Sequence, residues 1–140
     1  MTLMPPSLLD TDIASLVLRR HPLALARAQA YLRQHPKLLI SIITRYEILR
    51  GLKFRDAKVQ LVRFELACQP NGIFEVLPLT DAVVERAAQL YADLRRQGKL
   101  IPDNDLLIAA TALHHGLVLV TNNLPHFQRI PNLPISNWAQ

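Results

Sequence analysis

Cysteine is all but missing. Cys68 stands alone, which excludes a disulfide framework and a thiolate metal site. A lone thiol suits a reducing compartment, and the cytoplasm is the expected location. No apolar run approaches the ~20 residues of a membrane span. The opening MTLMPPSLLD has neither the basic start nor the long apolar stretch of a secretory leader. There is no internal repeat, no low-complexity tract and no linker. Acids are also in the minority, 11 Asp and Glu against 16 Lys and Arg, for a net charge of +5. That balance favours a polyanionic partner such as nucleic acid. A merely basic soluble protein has it too, so the charge counts only beside the buried-looking acids described below.

What is present fits one domain spanning residues 1–140, half of them hydrophobic, which is enough to bury a core unaided. The ten prolines fall at element boundaries, where they punctuate the chain. Ser7-Leu8-Leu9 reads as a short buried strand that delivers Asp10 to its C-terminal edge. Thr11 and Asp12 can cap a helix over 13–20, a job that Asp10 could also do, and His21-Pro22 breaks it. A second helix is expected over 23–34 and a strand over 38–40. Ser41 caps a helix through Glu47 to Arg50, ended by Gly51. The next helix, 56–68, has Val59, Leu61, Val62 and Leu66 as its apolar members. A turn at Pro70-Asn71-Gly72 leads to a strand over 73–77. Thr80 caps an amphipathic helix to Gln97 that turns Val83, Val84, Ala87, Leu90, Tyr91 and Leu94 inward, with Gly98 as its stop. Leu133-Pro134-Ile135 is a candidate edge strand, and Trp138 packs near the end. Strands separated by helices predict an α/β fold: a central, mostly parallel sheet of four to five strands with helices on both faces.

The stretch IPDNDLLIAATALHHGLVLVTNNLPH, 101–126, is the most informative. It reads as a helix opening on acids, a stop at Gly116, a fully buried strand over 117–120, and a polar loop with Thr121 and Asn123. Ile108, Ala109 and Ala112 lie three, four and seven residues beyond Asp105, so this carboxylate heads the stripe that the helix buries. A carboxylate aimed at an interior requires a partner or a cation. Asp103, after Pro102, is the better N-cap.

In a parallel sheet, ligands bind beyond the carboxyl ends of the strands. Asp10, Thr121 and Asn123 are placed there, and Glu47 lies two turns into the helix after the second strand, at the margin of its buried face. If Asp10, Glu47 and Asp105 converge, either one protonates or a cation neutralises the set. An all-oxygen ligand set favours Mg²⁺ or Mn²⁺ over Zn²⁺. Such an ion activates water for in-line hydrolysis of a phosphodiester.

Four segments, LLDTD at 8–12, SIITRYEILRGL at 41–52, PDNDLLIAATALHHGLVLVTNN at 102–123 and FQRIPNLPISNW at 127–138, resemble PIN-domain ribonucleases. Among these the closest likeness is to the VapC toxins of bacterial toxin–antitoxin pairs. The resemblance covers nearly the whole chain. It implies a PIN-like fold and Mg²⁺ or Mn²⁺ held by Asp10, Glu47 and Asp105. A fourth acid often follows the strand-four Thr at the second position; here Asn123 stands there, able to hydrogen-bond but adding no charge. Asp12 stands where the family usually has Asn. The resemblance further implies RNA cleavage, homodimers, and a cognate VapB-type antitoxin whose tail covers the site. The closing segment is nearest to members that cut initiator tRNA.

Other residues have plainer readings beside the functional ones. Arg45, Arg50, Arg95, Arg96 and Lys99 are candidates for phosphate contacts, although such side chains on helices are usually just solvated. His114 and His115 suit a negative helix end, and His126 is a candidate RNA contact. Tyr91 and Trp138 read as packing, and Asp56, Asp81 and Asp93 as solvated acids. The leading expectation is a metal-dependent endoribonuclease toxin. Its rivals are a non-catalytic PIN-like module that binds RNA or protein, and a phosphotransfer receiver. The receiver is disfavoured because Asn123, not a lysine, follows Thr121.

Overall fold

The computed structural model describes residues 2–140. The chain runs β1 (Ser7–Leu9), α1 (Thr11–Leu18), α2 (Pro22–Leu32), β2 (Leu38–Ser41), α3 (Ile42–Phe54), α4 (Lys58–Ala67), β3 (Phe74–Leu77), α5 (Asp81–Arg96), α6 (Asp103–His114), β4 (Val118–Val120), α7 (Leu124–Phe127) and β5 (Ile135–Ser136). The five strands form one parallel sheet in the order β3-β2-β1-β4-β5. The chain winds outward from β1 to β3, then returns to pair β4 with the other side of β1. The boundary between β1 and β4 is therefore the point where the winding reverses, and the crevice beyond the strand ends opens there.

Alternation along β1 divides the core into two layers. Leu8 packs with Leu119, α5, α6 and Phe127 on one face, while Leu9 packs with Val120, Leu38, Ile40 and helices α1 to α4 on the other. Ser41 and Thr80 cap α3 and α5 as expected, accepting from the amides of Thr44 and Val83. Gly98 and Gly116 take left-handed backbone, φ 68° and 64°, just past α5 and α6, where a side chain would be strained. Among the described residues, no helix is long and apolar enough to cross a membrane.

Several expectations are corrected. α3 continues through Gly51 to Phe54, because a glycine inside a helix costs only about 1 kcal/mol and Leu52 is buried on the same face as Ile48. The first helix starts earlier than expected, with Asp10 as its N-cap. Asp103 does not cap α6: it is the first helical residue and exposed, and Pro102 holds the cap position without a side-chain bond. On α4, Phe64 makes the core contact, whereas Val59, Val62 and Leu66 are 61%, 59% and 62% exposed. Val84 also faces outward. Val118 is half-buried, so β4 is less enclosed than its composition predicts.

Candidate active site

Asp10 follows β1 directly, and its amide donates to Val120 O at 2.9 Å, carrying the pairing with β4 one residue further. The residue is 5% exposed. Its Oδ1 accepts from the Thr11 amide and its Oδ2 from the Thr121 hydroxyl, both at 2.8 Å. Burial pushes this carboxyl up from 3.8 to about 7. Asp12 adds to the rise, the bonds from Thr121 and Thr11 oppose it, and Asp105 adds a smaller push. Asp12, one turn-start further on, accepts from the amides of Ile13 at 2.7 Å and Asn122 at 3.0 Å. Burial raises its carboxyl too; those amide bonds and its contact with Asp10 hold it down, and the charge of Asp105 raises it. Asp105 thus acts on both acids at the end of β1.

Glu47, on the second turn of α3, is reached from two other elements. Thr11 Oγ1 donates to Oε1 at 2.6 Å, and Asn104 Nδ2 donates to Oε2 at 3.3 Å. Arg50, three residues along the same helix, adds a contact at 3.4 Å. Thr11 Oγ1 also lies 3.0 Å from Thr44 Oγ1, which is fully buried.

Asp105, in the first turn of α6, meets His126 of α7: Nδ1 lies 2.7 Å from Asp105 Oδ2. The same nitrogen lies 2.8 Å from the side-chain amide of Asn123. A ring nitrogen bears one proton or one lone pair, and the carboxylate is the stronger acceptor, so Nδ1–H is given to Asp105. Asn123 in turn donates its backbone N–H to Thr121 Oγ1 at 2.9 Å.

These bonds, with the close approach of the Asn123 amide to His126 Nδ1, form two strings of contacts. One runs Asp10, Thr121, Asn123, His126, Asp105; the other runs Asp10, Thr11, Glu47, Asn104. Asn104 and Asp105 are neighbours in the chain, so the strings close a ring around one crevice. Residues 10, 47 and 105 are connected in this way through intervening side chains, not by direct contact among the three carboxylates. Among the described residues, no three His, Cys, Asp or Glu side chains stand close enough to share one ion. The donor chemistry nonetheless suits a hard divalent cation. The crevice offers carboxylate oxygens, and Asp10 and Asp12 are held up by burial and by neighbouring negative charge, a state that a cation relieves.

The expected phosphate contacts fall in different places. Arg50 is the one that touches a site acid. Arg45 is committed to Glu65 at 2.9 Å and lies over the Phe64 ring, away from the crevice. Arg95 donates to Tyr91 Oη and Arg96 to Asp93 on the far end of α5, and Lys99 is exposed beyond it. A groove of about 250 Å³ beside the crevice is lined instead by Thr11, Glu47 and Leu52 with Arg19, Arg55 and Arg63. Sequence reasoning missed those three arginines, the bridging roles of Thr11 and Asn104, and the contact of His126 with Asp105. For Arg45 the signal was available: two residues from Glu47 on a helix is about 200° around the axis, the opposite side. Nothing local pointed to Arg19, Arg55 or Arg63, which come together through the packing of α3 against α1 and α4.

Comparison with known proteins gives one consistent picture. The family model described as PIN domain matches residues 7–133. Ribonuclease VapC2 of Haemophilus influenzae is 34% identical over 138 residues, covering 94% of this chain and 97% of the relative. The tRNA(fMet)-specific endonuclease VapC of Shigella flexneri is 31% identical over 134 residues, covering 94% and 97%. Among solved structures, VapBC2 from Rickettsia felis bound to a DNA fragment from their promoter superimposes with a TM-score of 0.83 at 26% identity, covering 94% of this chain and 98% of that one. DNA-bound VapBC from Salmonella typhimurium gives 0.79 at 28% identity, covering 96% and 99%.

Proposed function

The chain belongs to the PIN-domain family and, within it, to the VapC-type ribonucleases, and from that footing we propose how its own residues cut RNA. It is an endoribonuclease, the toxin of a toxin–antitoxin module, with a VapB-type antitoxin as its partner. Asp10, Glu47 and Asp105 hold a divalent ion, Mg²⁺ or Mn²⁺. Asp12, Thr121 and Asn123 support them from the ends of β1 and β4. The observation that carries this reading is Asp10: a buried carboxyl raised to about 7 by its surroundings and by negative neighbours, at the point where the sheet reverses its winding.

A divalent ion held by these carboxylates would supply Lewis acidity for activating water and for offsetting charge on the phosphodiester. The residues of the chain do the remainder. The ring of hydrogen bonds orients each carboxylate before substrate arrives. Arg19, Arg55 and Arg63 along the groove, with Arg50 at its head, take the phosphates of the strand. No covalent enzyme intermediate is required. The protein acts in the cytoplasm as a homodimer, and tRNA is its substrate class, in keeping with the relative that is specific for tRNA(fMet).

The test is Asp105→Asn, assayed with Mg²⁺ on a mixed tRNA pool. Cleavage and growth arrest are lost while the circular dichroism spectrum is unchanged; undiminished cleavage removes Asp105 from the mechanism. A second reading, a PIN-like module that binds RNA or protein without cutting, has one observation on its side: no three ligand-type side chains among the described residues stand within reach of one ion. Titrating Mn²⁺ into the cleavage assay separates the two, since a binding module shows no metal-dependent product at any concentration.

A further inference from the structure

α7 is four residues long and is pinned by Phe127, which is fully buried. That anchor fixes the residue before it, His126, whose ring stands against Asp105 with 35% of its side chain exposed, while that of Asp105 is 17% exposed. The contact bridges 21 positions of sequence and joins α6 to α7, which also share one core cluster through Phe127. Among the described residues it is the one hydrogen bond made by the Asp105 carboxylate. Asn123 closes on the other side of the same nitrogen and is itself tied through Thr121 to Asp10. The setting of the Asp105 carboxylate relative to Asp10 therefore runs through His126.

We infer that His126 is a positioning residue for metal capture, holding Asp105 Oδ2 by its Nδ1–H so that Oδ1 is presented to the ion. The inference rests on the assignment of Asp105 as a metal ligand. A carboxylate free to rotate about its terminal bond must lose that freedom when an ion arrives; one already held by a neighbouring donor does not. Asn123 fits the same account. Its side-chain amide lies 2.8 Å from the imidazole nitrogen and adds no charge beside Asp105. Hydrogen-bonding partners of metal ligands typically account for about 10- to 100-fold in metal affinity.

The experiment measures Mn²⁺ binding to the folded protein, by electron paramagnetic resonance of free Mn²⁺, with no RNA present. His126→Leu removes the donor and keeps an apolar body beside Phe127. Its Mn²⁺ Kd rises by about 10-fold or more. His126→Asn returns a donor to the position of Nδ1, and its Kd lies within about 3-fold of the unaltered protein. A purely structural role would lower the melting temperature of both variants without this split. Equal Mn²⁺ affinity in His126→Leu and the unaltered protein, both folded, overturns the inference and leaves the nuclease reading standing. Failure of the unaltered protein to bind Mn²⁺ at all overturns both. Failure of His126→Asn to restore affinity overturns the assigned role of the Nδ1 proton.

Discussion

Asp10→Asn is expected to change the pH dependence of folding in a way that reports the anionic crevice directly. The Asp10 carboxyl ionises at 3.8 in ordinary surroundings and at about 7 in the fold. Between those limits the native state holds a proton that the unfolded chain has released, so unfolding free energy falls as pH rises, by ~1.4 kcal/mol per unit. The stabilising contribution is complete below pH 3.8, is lost progressively up to about 7, and is flat above it; the whole interval amounts to about 4 kcal/mol. Asparagine is neutral throughout and keeps an oxygen for the Thr11 amide, although it meets the Thr121 hydroxyl with altered chemistry. That alteration is a constant offset, and the pH-dependent part stands apart from it. Urea unfolding in chelator at pH 4.5, 6, 7.5 and 9 should therefore show the variant gaining on the original protein up to pH 7.5 and keeping pace thereafter. Adding Mn²⁺ at 100 times its Kd should stabilise only the original protein, by about 2.7 kcal/mol. A stability difference that does not move with pH would refute the assignment of Asp10 as a buried, negatively surrounded acid.

Three other outcomes are expected. Arg63→Ala and Arg55→Ala should each weaken RNA binding across sequences and reduce the salt slope of log K by about 1, whereas Arg45→Ala should leave binding alone because that side chain serves Glu65; titrations at several salt concentrations decide it. Ile108→Ala, at a fully buried position of α6, should cost about 2–5 kcal/mol in denaturant unfolding. Val62→Ser, on the outward side of α4, should change the stability of the isolated protomer by less than about 0.5 kcal/mol; a larger loss would mean that the face is covered.

The fold was legible where a residue's own neighbours decide its fate. The apolar run after Asp105, the glycines at 98 and 116 and the caps at Ser41 and Thr80 each act within a turn, and the structure has them in the expected roles. Local pattern misled on α4, where Val59, Val62 and Leu66 have helical spacing yet point away from the sheet. Periodicity identifies an apolar stripe but not what it faces. Gly51 misled for the opposite reason: a helix already held by tertiary packing tolerates a residue that would end an isolated one. Of the candidate site acids, Asp105 was readable as a charge heading an apolar stripe and Glu47 chiefly through the family resemblance, whereas their connections were not readable. Thr11, Asn104 and His126 are ordinary at the level of sequence and become informative only once β1, α3, α6 and α7 are side by side.

The ring that closes around the crevice has its first members at residues 10 and 11 and its last at 123 and 126. A ribosome making this chain therefore completes the site only once residue 126 has followed residue 10 out of the exit tunnel. Until β4 and α7 have left the exit tunnel, Asp10 has no Thr121 and Asp105 no His126. A chain still lacking β4 and α7 has its acids without these partners, so the proposed cleavage has to wait until both ends of the ring are present.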